Sequence, residues 1–263
     1  MTPFSEILDG MTGGGEAFTV TVPPDWMQGR TTYGGLSSAL CVAAAERMAP
    51  GLPPLRAGQF TFIGPAGGAV RLQLSVLRQG KNSVFIGADL IGEAGLATRA
   101  VLTFGAARAS ELNHAACPLP RAIPRDESVE YFSREGAPAF TKHFDSRPAG
   151  GHAMFSGAAA ADLLVWGRHK DPAARNTATG LVALGDILPP AAVAMFTRFA
   201  PISSMTWGIE MTAPGHVGDP EGWYLLQSTG EATSDGYSSQ DMRLWAEDGT
   251  LVMASRQMVA VFL

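Results

Sequence analysis

Polar and apolar residues alternate along Arg71-Leu72-Gln73-Leu74-Ser75-Val76, as a strand needs when one face meets a core and the other meets water. Gln79-Gly80-Lys81-Asn82 closes this run with turn residues. A different pattern fills Leu36–Met48. There Leu36, Ala39, Leu40, Val42, Ala43 and Ala44 fall on nearly every face of a helix, which only a helix buried on most sides tolerates. Its small alanines let a curved sheet approach closely.

The same unit is written twice. The first copy predicts a strand at Phe18–Val22, the helix Leu36–Met48, and strands at Leu55–Ile63, Val70–Leu77, Asn82–Ile91 and Ala97–Phe104. The second predicts a strand at Ala161–Trp166, a helix in the apolar stretch that follows Leu184-Gly185-Asp186 and ends at Phe196, and strands at Ile202–Ala213, Trp223–Glu231, Gly236–Ala246 and Leu251–Phe262. Gly34 and Asp186 are 186 − 34 = 152 positions apart, and the Glu-x-Gly turns at Glu93 and Glu247 are 247 − 93 = 154 apart. Such an offset far exceeds a solenoid period of roughly 20–50 residues. It implies two fused α+β domains, 1–110 and 151–263, joined by a Pro-, Gly- and charge-rich linker, 111–150, that packs across both. Each domain reads as one helix wrapped by a bent antiparallel sheet. The two sheets should join side by side, because each would otherwise expose long edges.

Composition narrows the function. Of 263 residues, 46% are hydrophobic and 16% charged, with a net charge of −5 and no basic run; nucleic acid is excluded as an expected partner. Cys41 and Cys117 form neither a disulfide framework nor a metal motif. Met1–Gly15 lacks the basic start and apolar run of a signal peptide. Val182–Val193 is interrupted by Asp186 and two prolines and is too short to span a bilayer. A cytoplasmic protein without metal or membrane partner is expected.

Three polar residues stand out in apolar surroundings. Asp186 lies where the second helix should begin, and Pro189-Pro190 moves that beginning to about Pro190 or Ala191. A carboxylate there either caps the helix or polarises a water. Gln257 interrupts an apolar last strand; it either faces out or faces the core with hydrogen-bond partners. Ser204 offers a hydroxyl in the strand after the helix, or is an ordinary strand serine. Gly34 and Gly35 either let a ligand approach the first helix or allow tight packing against the sheet. No Gly-x-Ser-x-Gly elbow supports a covalent serine hydrolase.

The order of these residues, with Gly29-Arg30-Thr31-Thr32-Tyr33-Gly34-Gly35-Leu36, Phe60–Pro65, Leu77–Ser83 and the ungapped run Leu244–Gln257, resembles the bacterial acyl-CoA thioesterase II family. The resemblance covers essentially the whole chain. It implies a double hot dog fold and hydrolysis of an acyl-CoA thioester to a fatty acid and coenzyme A. The water would be activated by residues that match Asp186, Ser204 and Gln257, with Tyr33, Gly34 and Gly35 near the substrate. Coenzyme A would enter only as part of the substrate, and a homo-oligomer is expected. Two alternatives stay open: a hot dog hydratase or dehydratase, and a non-catalytic acyl-CoA binder. The first needs an Asp and a His acting together, and none of His114, His143, His152, His169 and His216 follows the Asp-x-x-x-x-His spacing.

Overall fold

The computed structural model describes residues 1–132 and 136–263; residues 133–135, inside the expected linker, lie outside the described residues. The chain opens with α1 (Phe4–Asp9), β1 (Thr12–Gly14) and β2 (Ala17–Val22). A small hairpin, β3 (Met27–Gln28) and β4 (Thr31–Thr32), leads into α2 (Gly34–Met48). The N-terminal half ends with β5 (Leu55–Phe62), β6 (Gly68–Gln79), β7 (Ser83–Gly92) and β8 (Gly95–Gly105). The C-terminal half begins with β9 (Phe144–Gly151), β10 (Asp162–His169) and α3 (Ala178–Gly185). It continues with β11 (Ile202–Met211), β12 (Tyr224–Ser234), β13 (Tyr237–Ala246) and β14 (Leu251–Val261).

Twelve of these strands form one sheet, in the order β1-β2-β6-β7-β8-β5-β11-β14-β13-β12-β10-β9. Outward from its centre the order is β5, β8, β7, β6, β2 on one side and β11, β14, β13, β12, β10 on the other. The two halves thus repeat one topology and join, as expected, through antiparallel β5 and β11 from Thr61↔Thr206 to Ala57↔Glu210. This junction pairs the strand that each half would otherwise leave open. Among the described residues, no helix is long and apolar enough to cross a membrane.

α2 is buried from Gly35 through Ala45, and the sheet wraps it. Leu36, Leu40 and Val42 are fully enclosed, each worth about 1.5–3 kcal/mol by burial. The second helix departs from expectation. It precedes Asp186 instead of following it, and Asp186 is its C-terminal cap. Thr177 starts this helix by accepting the Gly180 N–H at 3.0 Å through its hydroxyl. After Asp186 the prolines at 189 and 190 stop any α-helix, and only a 3-10 turn, Ala191–Met195, forms. The repeat therefore holds in topology but not at one offset: β2 and β10 start 162 − 17 = 145 residues apart, α2 and α3 178 − 34 = 144, and β7 and β13 237 − 83 = 154, so Gly34 and Asp186 are not equivalent positions of the two halves.

Part of the expected linker is sheet: residues 144–151 are the edge strand β9, paired with β10. Other parts lie on both halves. Trp245 and Trp166 donate their indole N–H groups to the carbonyls of Cys117 and Ile123. Phe140 stacks on Tyr33 with ring centroids 3.9 Å apart.

Candidate active site

The two helices lie alongside each other and antiparallel, so that the start of α2 meets the end of α3. A Cβ on Gly34, the first residue of α2, would sit 2.7 Å from Asp186 Oδ2 and 3.3 Å from Phe62 Cζ. A Cβ on Gly35 would sit 2.6 Å from the Ala183 carbonyl oxygen. Only glycine at both positions lets α3 end against the start of α2. Asp186 therefore does sit at a helix N-terminus, but at that of the other half. The expectation that it begins its own helix is corrected: it lies at the negative end of α3, which disfavours its charge, and at the positive end of α2, which favours it.

Asp186 keeps a partial opening to solvent. Its carboxylate Oδ1 accepts from Gln257 Nε2 at 2.5 Å, and the backbone N–H of Gly35 also bonds to the carboxylate. Burial pushes its pKa up to about 7, against the opposing pull of these two donors. Desolvation thus outweighs hydrogen bonding, and the group can both accept and release a proton near neutral pH.

Gln257 faces the core, at 3% exposed. It is flanked in the sheet by Trp207 of β11 and Gln240 of β13. Its Oε1 accepts from Gln240 Nε2 at 2.9 Å. The sequence reading missed Gln240, although it and Gln257 lie nearly the same distance either side of the Asp248-Gly249 turn, which is the signal that pairs them.

Ser204 reaches this face through an irregularity. Ser204 pairs with Val259 and Thr206 with Met258, so Met205 is an extra residue in β11. That bulge changes the alternation: Trp207 and Ser204 lie opposite Gln257 and Val259, both of which are buried in the core. Among the described residues, no hydrogen bond joins the Ser204 hydroxyl to Asp186 or Gln257. The structure brings Asp186 and Gln257 into direct contact and leaves Ser204 on the neighbouring strand, two residues along the inward row.

Tyr33 is fully enclosed, at 1% exposed, and its hydroxyl donates to the Ala183 carbonyl at 2.7 Å. Burial, then the Asp186 charge, holds that hydroxyl well above its ordinary pKa, so it stays protonated. Tyr33 ties the start of α2 to the end of α3, and so fixes the approach of Gly34 and Gly35 to Asp186.

A family model for the acyl-CoA thioesterase N-terminal domain matches residues 22–105, and one for the C-terminal domain matches residues 115–261. No curated protein matches the chain. Among solved structures, a conserved protein of unknown function with a hot dog fold from Alicyclobacillus acidocaldarius is similar with a TM-score of 0.88 and 21% identity, covering 99% of this chain and 98% of that one. A tesB protein from Mycobacterium avium subs paratuberculosis has a TM-score of 0.79 at 16% identity, covering 98% of each chain. The acyl-CoA thioesterase II TesB2 from Mycobacterium marinum has 0.76 at 16%, covering 98% of this chain and 97% of that one. These neighbours share the double hot dog architecture. With the C-terminal model alone matching more than half of its length, the chain belongs to the acyl-CoA thioesterase family, whose chemistry is the hydrolysis of a thioester.

Proposed function

We propose that this protein hydrolyses acyl-CoA with a water activated by Asp186 and oriented by Gln257 and Ser204. The observation that carries this reading is the convergence of Asp186 Oδ1, Gln257 Nε2 and the first turn of α2 at one partly open point. A carboxyl group with a pKa near 7 suits a general base at neutral pH. The water oxygen bonds to the thioester carbonyl carbon while Asp186 takes its proton. The tetrahedral intermediate then expels the coenzyme A sulfur, which receives that proton, leaving a free fatty acid and the thiol. The first turn of a helix leaves its N–H groups without helical partners. Those of α2 not held by Asp186 supply donors for the developing oxyanion.

The role of Gln257 is to hold both the carboxylate and the water without taking a proton, so Gln257→Ala should cost less turnover than loss of Asp186. Tyr33 supports the site from behind, and Gly34 and Gly35 keep the helix start open to it. The test is a panel of acyl-CoA substrates from short to long chain, with release of free thiol measured on the purified protein. Thiol release with a chain-length optimum is expected. Binding without thiol release would favour an acyl-CoA binder, and loss of the conjugated absorbance of trans-2-enoyl-CoA would favour a hydratase.

A further inference from the structure

A buried glutamine amide is costly unless its donors and its acceptor all find partners. Gln240 and Gln257 face each other across β13 and β14, sealed from solvent at 0% and 3% exposed. Their bonds have a direction that can be read from one end. The backbone N–H of Ala191 can only donate, and it meets Gln240 Oε1 at 2.7 Å. Gln240 must then turn its NH₂ away, and that group reaches Gln257 Oε1 at 2.9 Å and Met242 Sδ at 3.6 Å. Gln257 in turn presents its NH₂ to Asp186 Oδ1 at 2.5 Å.

Ala191 is itself fixed. It opens the 3-10 turn after Pro190, and the Val193 N–H closes that turn onto the Pro190 carbonyl at 2.9 Å. An N–H in the first turn has no partner within the turn, so it is free for Gln240. Reversing either amide would set two donors or two acceptors against each other inside the core.

We propose that Gln240 is a positioning residue: anchored by the Ala191 N–H, it locks Gln257 as a hydrogen-bond donor toward Asp186 whether or not Asp186 carries a proton. The proposal rests on the reading of Asp186 as the base. A permanent donor favours the carboxylate over the carboxylic acid, because a protonated Asp186 would need an acceptor that a locked Gln257 does not offer. Without Gln240, Gln257 can turn its Oε1 to the protonated acid, and the acid form gains.

The test is a double-mutant cycle of Gln240→Leu with Gln257→Ala. Gln240→Leu alone should lower kcat by about 10-fold with KM within about 2-fold. It should also move the acid limb of the pH profile of kcat/KM upward by about one unit. In the Gln257→Ala background the same change should add less than about 2-fold, since Gln240 acts only through Gln257. Equal losses in both backgrounds, or an unmoved acid limb, overturn the proposal. Gln240→Met carries the test if Gln240→Leu does not fold. The carboxyl carbon-13 titration of Asp186 gives a readout free of turnover, and its midpoint should rise in either variant. An Asp186→Asn variant as active as the wild type would instead remove the underlying reading, which separates the two failures.

Discussion

Gly34 at the start of α2 lies directly against Asp186 at the end of α3, with no room for even one methyl group between them. The site is therefore made where the helices of the two halves touch. Neither half alone holds both the carboxylate and the helix N-terminus that faces it.

Adding a methyl group at each glycine should give different results. At Gly34 the new carbon meets a carboxylate oxygen at 2.7 Å, and at Gly35 it meets the Ala183 backbone carbonyl at 2.6 Å. A carboxylate can swing aside, but only by leaving Gln257. Gly34→Ala should thus lower kcat by roughly 10-fold or more for a modest stability loss. Gly35→Ala should cost about 1–3 kcal/mol of stability. Urea denaturation and steady-state kinetics on both variants check this; equal effects on both quantities would contradict it.

Tyr33→Phe removes the hydroxyl that holds the Ala183 carbonyl and leaves a buried acceptor unpaired. The expected cost is about 1–3 kcal/mol, read as a drop in Tm of several degrees. KM for acyl-CoA should stay within about 2-fold. A large rise in KM with Tm unchanged would make Tyr33 a substrate contact and not a tie between the helices.

Stability should respond to pH in opposite ways at Asp186 and His169. Burial raises the folded-state pKa of Asp186 from 3.8 to about 7. Between those values the folded protein holds a proton that the unfolded chain has lost, so this group's contribution falls as pH rises through that window. The full difference is on the order of a few kcal/mol. Burial lowers the ring of His169 from 6.5 to about 4. There the unfolded chain holds the extra proton, and stability is lost as pH falls through that range. Asp186→Asn abolishes the first effect and keeps the second. Relative to this variant, the wild type should be more stable at pH 5 than at pH 8, by urea denaturation. A difference that does not change with pH would contradict the raised pKa.

The strands were legible because alternation and turn residues are local signals. Arg71–Val76 and the turn at Glu247-Asp248-Gly249 place their strands within a residue or two of where they lie. The helix of the second half was not legible. Gly180 and Gly185 weaken the helical signal of Ala178–Gly185, while the apolar run after Asp186 imitates a helix that its two prolines forbid. The placement of Asp186 at a helix start was legible, but which helix depends on packing between halves about 150 residues apart, which no local pattern encodes. The facing of Ser204 was hidden for a similar reason: the bulge at Met205 shifts the alternation by one.

Turnover of Asp186→Asn tests the central claim most directly. Asn keeps the shape and can still accept from Gln257, but it cannot take a proton from water. The account predicts a folded protein whose kcat for acyl-CoA falls by about 10²–10⁴, with KM little changed. A folded Asp186→Asn variant with turnover close to wild type would show that the carboxylate only caps the start of α2, and would contradict the account.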